Sequence, residues 1–224
     1  MAVHGDWGVE VARKSFDVRP GGAVEIEVED SDVILESTTS STIEVILYID
    51  ADETFAKELF QDMEFDAALE NNIVRVEARD GGADFDSWDD HANVVTVVRF
   101  PRTSDVSVRT SDGDILAGEI EGDVTLLSSD GDIVLDGVME GELEVRTSDG
   151  DIVIDLIEAA SARIGTSDGD ILLGRVDSPL SVSSGDGDVQ VSLARAHETQ
   201  ISTGDGDILL TAPESLSAEL LIDA

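Results

Sequence analysis

Six Asp-Gly-Asp turns are the residues of this chain best suited to chemistry. Ser-Asp-Gly-Asp-Ile occurs at 111–115, 129–133, 148–152 and 167–171, and Gly-Asp-Gly-Asp follows at 185–188 and 204–207. Two aspartate columns flank the central glycines Gly113, Gly131, Gly150, Gly169, Gly187 and Gly206. One is Asp112, Asp130, Asp149, Asp168, Asp186 and Asp205; the other is Asp114, Asp132, Asp151, Asp170, Asp188 and Asp207. Stacked carboxylates are the donor type that Ca²⁺ and other hard cations take. The columns therefore read in three ways: a weak ladder of Ca²⁺ sites, a line that condenses monovalent cations, or turn chemistry, in which Asp supplies Asx hydrogen bonds and Gly positive φ. No further cofactor is expected.

Other chemistry is sparse. The histidines His4, His91 and His197 are far apart, and there is no cysteine, Gly-x-Ser-x-Gly or phosphate loop. Asp89-Asp90-His91 beside Trp88 is the one mixed cluster and reads as an acidic loop. The expectation is a non-enzyme. A Ca²⁺-dependent enzyme acting on polysaccharides is the remote alternative.

The elements that carry the turns repeat with them. The six glycines are 18 or 19 residues apart. Seven and five residues before each stand apolar columns such as Val106/Val108 and Leu143/Val145. Two and four after stand Ile115/Ala117 and Ile152/Ile154. Three before is always Thr or Ser (Thr110, Ser128, Thr147, Thr166, Ser184, Thr203), read as an inward hydroxyl ladder that satisfies the turn backbone. Apolar residues at period two on both sides of a Gly turn mean strand, turn, strand. So short a unit must stack on copies of itself to bury its inward side chains.

The predicted fold is all-β: a right-handed parallel β-helix (solenoid) of 18–19 residues per coil, each coil of three short faces, with an irregular N-terminal β section. Val24, Ile26 and Val28, then Asp30-Ser31-Asp32, then Val33 and Leu35 form a degenerate coil with Ser31 in the glycine position. Thr42–Asp50, Ile73–Arg79 and Val94–Phe100 read as strands and Glu53–Asp62 as a short helix. The organisation is one continuous body, with 1–103 as the N-terminal section and 104–224 as the six regular coils plus a terminal strand.

Composition limits the partners. Lys+Arg number 13 and Asp+Glu 51, for a net charge of −38, with only two lysines. Nucleic acid and anionic membranes need a basic surface and are excluded as direct partners. So Asp-rich and Lys-poor a surface is similar to that of proteins from halophiles. The N-terminal residues show no basic and apolar leader, and no stretch reaches 18 apolar residues, so the expected location is the cytoplasm.

Phe16-Asp-Val-Arg-Pro-Gly-Gly, followed by a strand and Asp-Ser-Asp-Val-Ile-Leu, resembles the opening of the "putative adhesin" β-strand-repeat family. Val97-Val-Arg-Phe-Pro101, running into Val-Ser-Val-Arg-Thr-Ser-Asp-Gly-Asp-Ile, resembles that family's entry into its repeats. The resemblance covers roughly residues 9–222 and implies a right-handed β-helix. In coil length and composition the chain is also similar to bactofilins and the archaeal halofilins, which polymerise. The expected function is therefore a cytoplasmic scaffold that self-associates through its solenoid ends, with a cell-surface adhesin or binding module as the alternative. The self-association residues would be Leu216, Ala218, Leu220 and Ile222, which continue the strand alternation to the end of the sequence.

Overall fold

The structure, a computed structural model, describes residues 7–80, 92–214 and 221–223. Each repeat forms one strand before its turn and one after. The strands before the turn are β8 (Asp105–Arg109), β10 (Val124–Leu127), the C-terminal half of β11 (Ile133–Arg146), the C-terminal half of β12 (Ile152–Gly165), β14 (Leu180–Ser183) and β16 (Thr199–Ser202). They pair in parallel in that order, and β18 (Leu221–Asp223) follows β16. The strands after the turn are β9 (Ile115–Ile120), the N-terminal halves of β11 and β12, β13 (Ile171–Val176), β15 (Val189–Leu193) and β17 (Ile208–Thr211), again all parallel. Two walls result, joined along one edge by the Asp-Gly-Asp turns.

The expectation of three faces per coil is corrected to two. In the central coils β11 and β12 run unbroken around the second edge and stay paired throughout, from Ile133↔Ile152 to Arg146↔Gly165. The bend in β11 falls at Glu140, which has φ 78°.

The degenerate first coil belongs to the same stack. β2 (Ala23–Val28) pairs in parallel with β8, and β3 (Ser31–Thr38) with β9. Beyond them, in the N-terminal section expected to be irregular, the sheet is mixed rather than parallel. β6 (Ile73–Asp80) lies parallel to β2, and β5 (Met63–Glu70) returns antiparallel to β6. Their turn is Asn71-Asn72, both residues at positive φ (52° and 71°), as a two-residue hairpin requires. In the other wall β7 (Asn93–Pro101) lies parallel to β3; β4 (Thr42–Asp50) is antiparallel to β7, and β1 (Val9–Asp17) antiparallel to β4.

One helix, α1 (Glu53–Asp62), packs on β1 and β5, the outermost strands of the two walls. Asp52 caps it, accepting from the N–H groups of Thr54 and Phe55 at 3.0 and 3.2 Å. Ala56 and Leu59 are buried against Ile49, with Val9, Val11 and Met63 around them. The core between the walls is aliphatic. Val108, Leu126, Val145, Ile164, Val182 and Ile201 form one buried column, and Ile115, Ile133, Ile152, Ile171 and Val189 another. Each such side chain contributes about 1.5–3 kcal/mol when fully buried.

Candidate binding surface

The turn edge is held by backbone contact between coils. A Cβ on Gly131 would overlap the carbonyl of Gly113, and the same holds for Gly150 on Gly131, Gly169 on Gly150, Gly187 on Gly169 and Gly206 on Gly187. Gly113 meets Ser31 in this way, which confirms Ser31 as the first member of the column. Among the described residues only Gly8 and Gly21 are glycines with positive φ. The repeat glycines are therefore required by close approach between coils, and the positive φ expected from turn chemistry is corrected.

The hydroxyl column does what its position implies. Thr147 Oγ1 donates toward the carbonyls of Ser129 and Gly131 (both 3.1 Å) and accepts from the Gly150 N–H at 3.3 Å. Thr166 repeats this on Ser148, Gly150 and Gly169. Each hydroxyl thus ties its own turn to the preceding one, inside the edge and largely out of water.

The second aspartate column forms a ladder of its own. Oδ1 of Asp32, Asp114, Asp132, Asp151, Asp170 and Asp188 accepts the backbone N–H of Asp114, Asp132, Asp151, Asp170, Asp188 and Asp207 in turn, at 2.7–3.0 Å. The Asx hydrogen bonds expected within each turn run instead from coil to coil. Asp112, Asp130, Asp149, Asp168, Asp186 and Asp205 stand exposed at the outer corner. Among the described residues no three Asp, Glu or His side chains converge in a way that could hold a metal ion.

Outside the second wall lies a feature that the sequence analysis missed. Three residues after each glycine stand Leu116, Val134, Val153, Leu172, Gln190 and Leu209, in register from coil to coil. They point away from the core. Val134, Leu172 and Leu209 are 39%, 41% and 57% exposed. The ladder aspartates flank this row on one side, with Asp136 and Asp155 on the other. At the N-terminal end the same row passes into Ile34, Val97 and Ile46, which are buried with Trp7 and Tyr48 packed on them. The signal was present as an apolar column at an odd offset, where a two-sided strand should be polar.

The first wall is different outside. One of its outer rows is Arg109, Leu127, Arg146, Gly165, Ser183 and Ser202, and the next is Ser107, Thr125, Glu144, Arg163, Ser181 and Gln200. Arg146 pairs with Glu144 at 2.9 Å, while among the described residues Arg109 and Arg163 make no ion pair. A shallow depression lies along Arg163, Pro179, Ser181, Glu198 and Gln200.

At the second edge His197 sits 2.9 Å from Asp177, and Arg195 lies 3.2 Å from the same carboxylate. These contacts hold the Asp177 carboxyl below its ordinary range, the His197 hydrogen bond most of all, the Arg195 charge adding to it and burial opposing. Of the expected self-association residues, Ile222 lies in β18, opposite Ile201. Leu216, Ala218 and Leu220 fall outside the described residues, as do His4, Trp88, Asp89, Asp90 and His91.

Comparison with known proteins places this architecture. The model of the family described as Toastrack DUF4097 matches residues 22–224. The chain belongs to the Toastrack DUF4097 family. No curated protein matches it. Solved structures similar to this Toastrack chain include a "putative adhesin" from Parabacteroides distasonis (TM-score 0.55, 15% identity, 96% of this chain and 97% of that one). Another is from Bacteroides fragilis (0.54, 13%, 95% and 94%), and a third from Parabacteroides merdae (0.51, 15%, 95% of both). At such identities the likeness is one of fold, and it runs the length of the Toastrack chain, N-terminal section included.

Proposed function

We propose that the protein is a non-enzymatic binding module of the adhesin kind, which holds a macromolecular partner against the outside of its second wall. The observation that carries this reading is the outward apolar row from Leu116 to Leu209, half-buried at Leu116 and Val153 and exposed at Val134, Leu172 and Leu209, on a wall whose register is fixed by the ladders beside it. Contiguous exposed apolar side chains mark interaction sites where singly scattered ones do not. The "putative adhesin" description of the similar solved structures supports the same reading. The test is attachment. Beads carrying the full chain are incubated with intact cells and with separated envelope and cytosol, and saturable retention is expected in one of them. Absence of saturable retention from every fraction overturns the reading.

A second reading, a scaffold that associates through its solenoid ends, is favoured by one observation. Among the described residues β17 pairs only with β15, and its inward Ile208 and Leu210 are half-buried where Val189 and Val191 one coil earlier are fully buried. The opposite end carries α1 and antiparallel strands, so tail-to-tail dimers fit this geometry better than filaments. Sedimentation velocity in 2 M KCl tests it. A monomer at every concentration removes this reading.

A further inference from the structure

The apolar row has a spacing, a length and a charge setting that together describe its occupant. Leu116, Val134, Val153, Leu172 and Leu209 stand on successive parallel strands, with Gln190 the one polar member. Strands in a sheet lie about 4.8 Å apart, so the six positions span about 24 Å. An α-helix advances about 5.4 Å per turn. A helix laid across the strands therefore sets one turn over each coil and drifts by about 3 Å along the whole row. An added β-strand along the same line repeats its side chains every ~6.8 Å and falls out of step within two coils.

Charge narrows the choice further. The exposed carboxylates of Asp114, Asp132, Asp151, Asp170, Asp188 and Asp207 run beside the row, with Asp136 and Asp155 on its far side. The ladder bonds use Oδ1 of the first five, which leaves their Oδ2 atoms to the solvent side. A second copy of this wall would bring carboxylates against carboxylates, and an anionic lipid surface would be repelled. The chain's own cations are largely committed elsewhere: Arg13, Arg75, Arg79, Arg99 and Arg102 all pair with glutamates of the N-terminal section and first coil. Where the row continues into Ile34, Ile46 and Val97, an aromatic side chain, Trp7, already packs on it. Further along the same row Val134, Leu172 and Leu209 are exposed.

We propose that this row docks a basic amphipathic α-helix of a partner protein, about 16 residues long, lying along the solenoid axis with its apolar stripe on Leu116, Val134, Val153, Leu172 and Leu209 and its Lys or Arg residues on the aspartate rows. The proposal deepens the binding-module reading and rests on it. Helix-in-groove recognition of this kind places apolar anchors at i, i+3/i+4 and i+7.

The test uses the full chain and a labelled synthetic 18-residue Leu/Lys peptide whose leucines fall on one helical face. A peptide of the same composition with the leucines scattered around the helix is the control. Fluorescence anisotropy is expected to show the amphipathic peptide binding at least tenfold tighter than the scattered one at 0.15 M KCl, with a gain of helical circular dichroism on binding. Val134→Asp with Leu172→Asp, at sites already exposed, is expected to remove that preference while the variant still unfolds cooperatively at 0.15 M KCl. Asp151→Asn with Asp170→Asn keeps both ladder acceptors and is expected to flatten the salt dependence. Arg163→Ser on the first wall leaves binding unchanged. Equal affinity for the two peptides, or a preference that survives Val134→Asp with Leu172→Asp, overturns the proposal. If the peptides fail while beads still retain a saturable partner, the helix is wrong and the binding module stands; if both fail, both readings fall.

Discussion

The carboxylate of Asp151 accepts the backbone N–H of Asp170 at 2.8 Å, across nineteen residues of sequence and one coil of structure. That bond supplies the parallel sheet with a side-chain acceptor where the turn interrupts the backbone ladder. Asp151→Ala leaves the N–H of Asp170 to water and is expected to cost about 1 kcal/mol, since the site is exposed. Asp151→Asn keeps an acceptor and should retain most of that stability. Urea unfolding of the two variants in 1 M KCl, where repulsion along the column is screened, measures the difference, and equal losses would show that charge rather than the acceptor matters.

Gly150 is the position where the stack tolerates least. Its Cβ would fall on the carbonyl of Gly131, which is backbone and cannot swing aside. Gly150→Ala is expected to destabilise the chain by about 3 kcal/mol. Gly21→Ala is the comparison: nothing lies within 4 Å of its Cβ, and only its φ of +77° is strained, for about 1 kcal/mol. Thermal unfolding should rank the two in that order.

Thr147 is buried and both donates and accepts within the edge. Thr147→Val keeps the shape and removes the hydroxyl, which orphans the Gly150 N–H. A loss of about 1–3 kcal/mol follows. Thr147→Ser, which keeps the hydroxyl, should recover most of it in the same urea titration.

The aspartate columns repel along their length. Neighbouring carboxylates about 4.8 Å apart cost roughly 0.9 kcal/mol per pair in water. Screening shortens from about 10 Å at 0.1 M salt to about 3 Å at 1 M, so Tm is expected to climb steadily with KCl. At equal ionic strength Ca²⁺ and Mg²⁺ should raise Tm equally. A rise specific to Ca²⁺, saturating at a fixed stoichiometry, would assign the columns as true sites.

Asp177 gives the chain a pH-dependent contact. Its carboxyl is held below the ordinary value, mainly by the His197 hydrogen bond. The stabilisation is therefore complete above the unfolded value near ~3.9 and is lost as pH falls through the lower folded value. His197→Ala should show a Tm deficit at pH 5 that closes toward pH 2. A deficit that stays constant over that range would mean the His197 ring contributes packing alone.

Much of the stack was legible because each coil repeats its predecessor at one offset. Val108, Leu126 and Val145 could be placed over one another from spacing alone, and the degenerate coil at Val24–Leu35 aligned by the same offsets. The helix at Glu53–Asp62 was readable too. The mixed pairing was not. In β1 the register shifts between Glu10 and Ala12, which breaks the period-two pattern that would have marked a strand. β5 follows directly on α1 and contains Ala67, Ala68 and Glu70, residues that suit a helix as well. The outward apolar row escaped notice for another reason: in a strand with one wet face, an outward Leu looks like noise until six coils set it beside its equivalents.

The antiparallel strands and α1 close one end of the stack, while every later coil adds to the one before it through the same turn, ladder and column. A nascent chain leaving the ribosome meets this order directly. The closed end emerges first and can serve as the template for the next 18 or 19 residues, and so on, one rung at a time. Excising one whole period keeps every remaining side chain in phase, whereas removing a few residues puts the inward columns outside. Length in this protein is thus an inheritable quantity that changes in whole coils, and a longer or shorter wall can evolve without redesigning its interior.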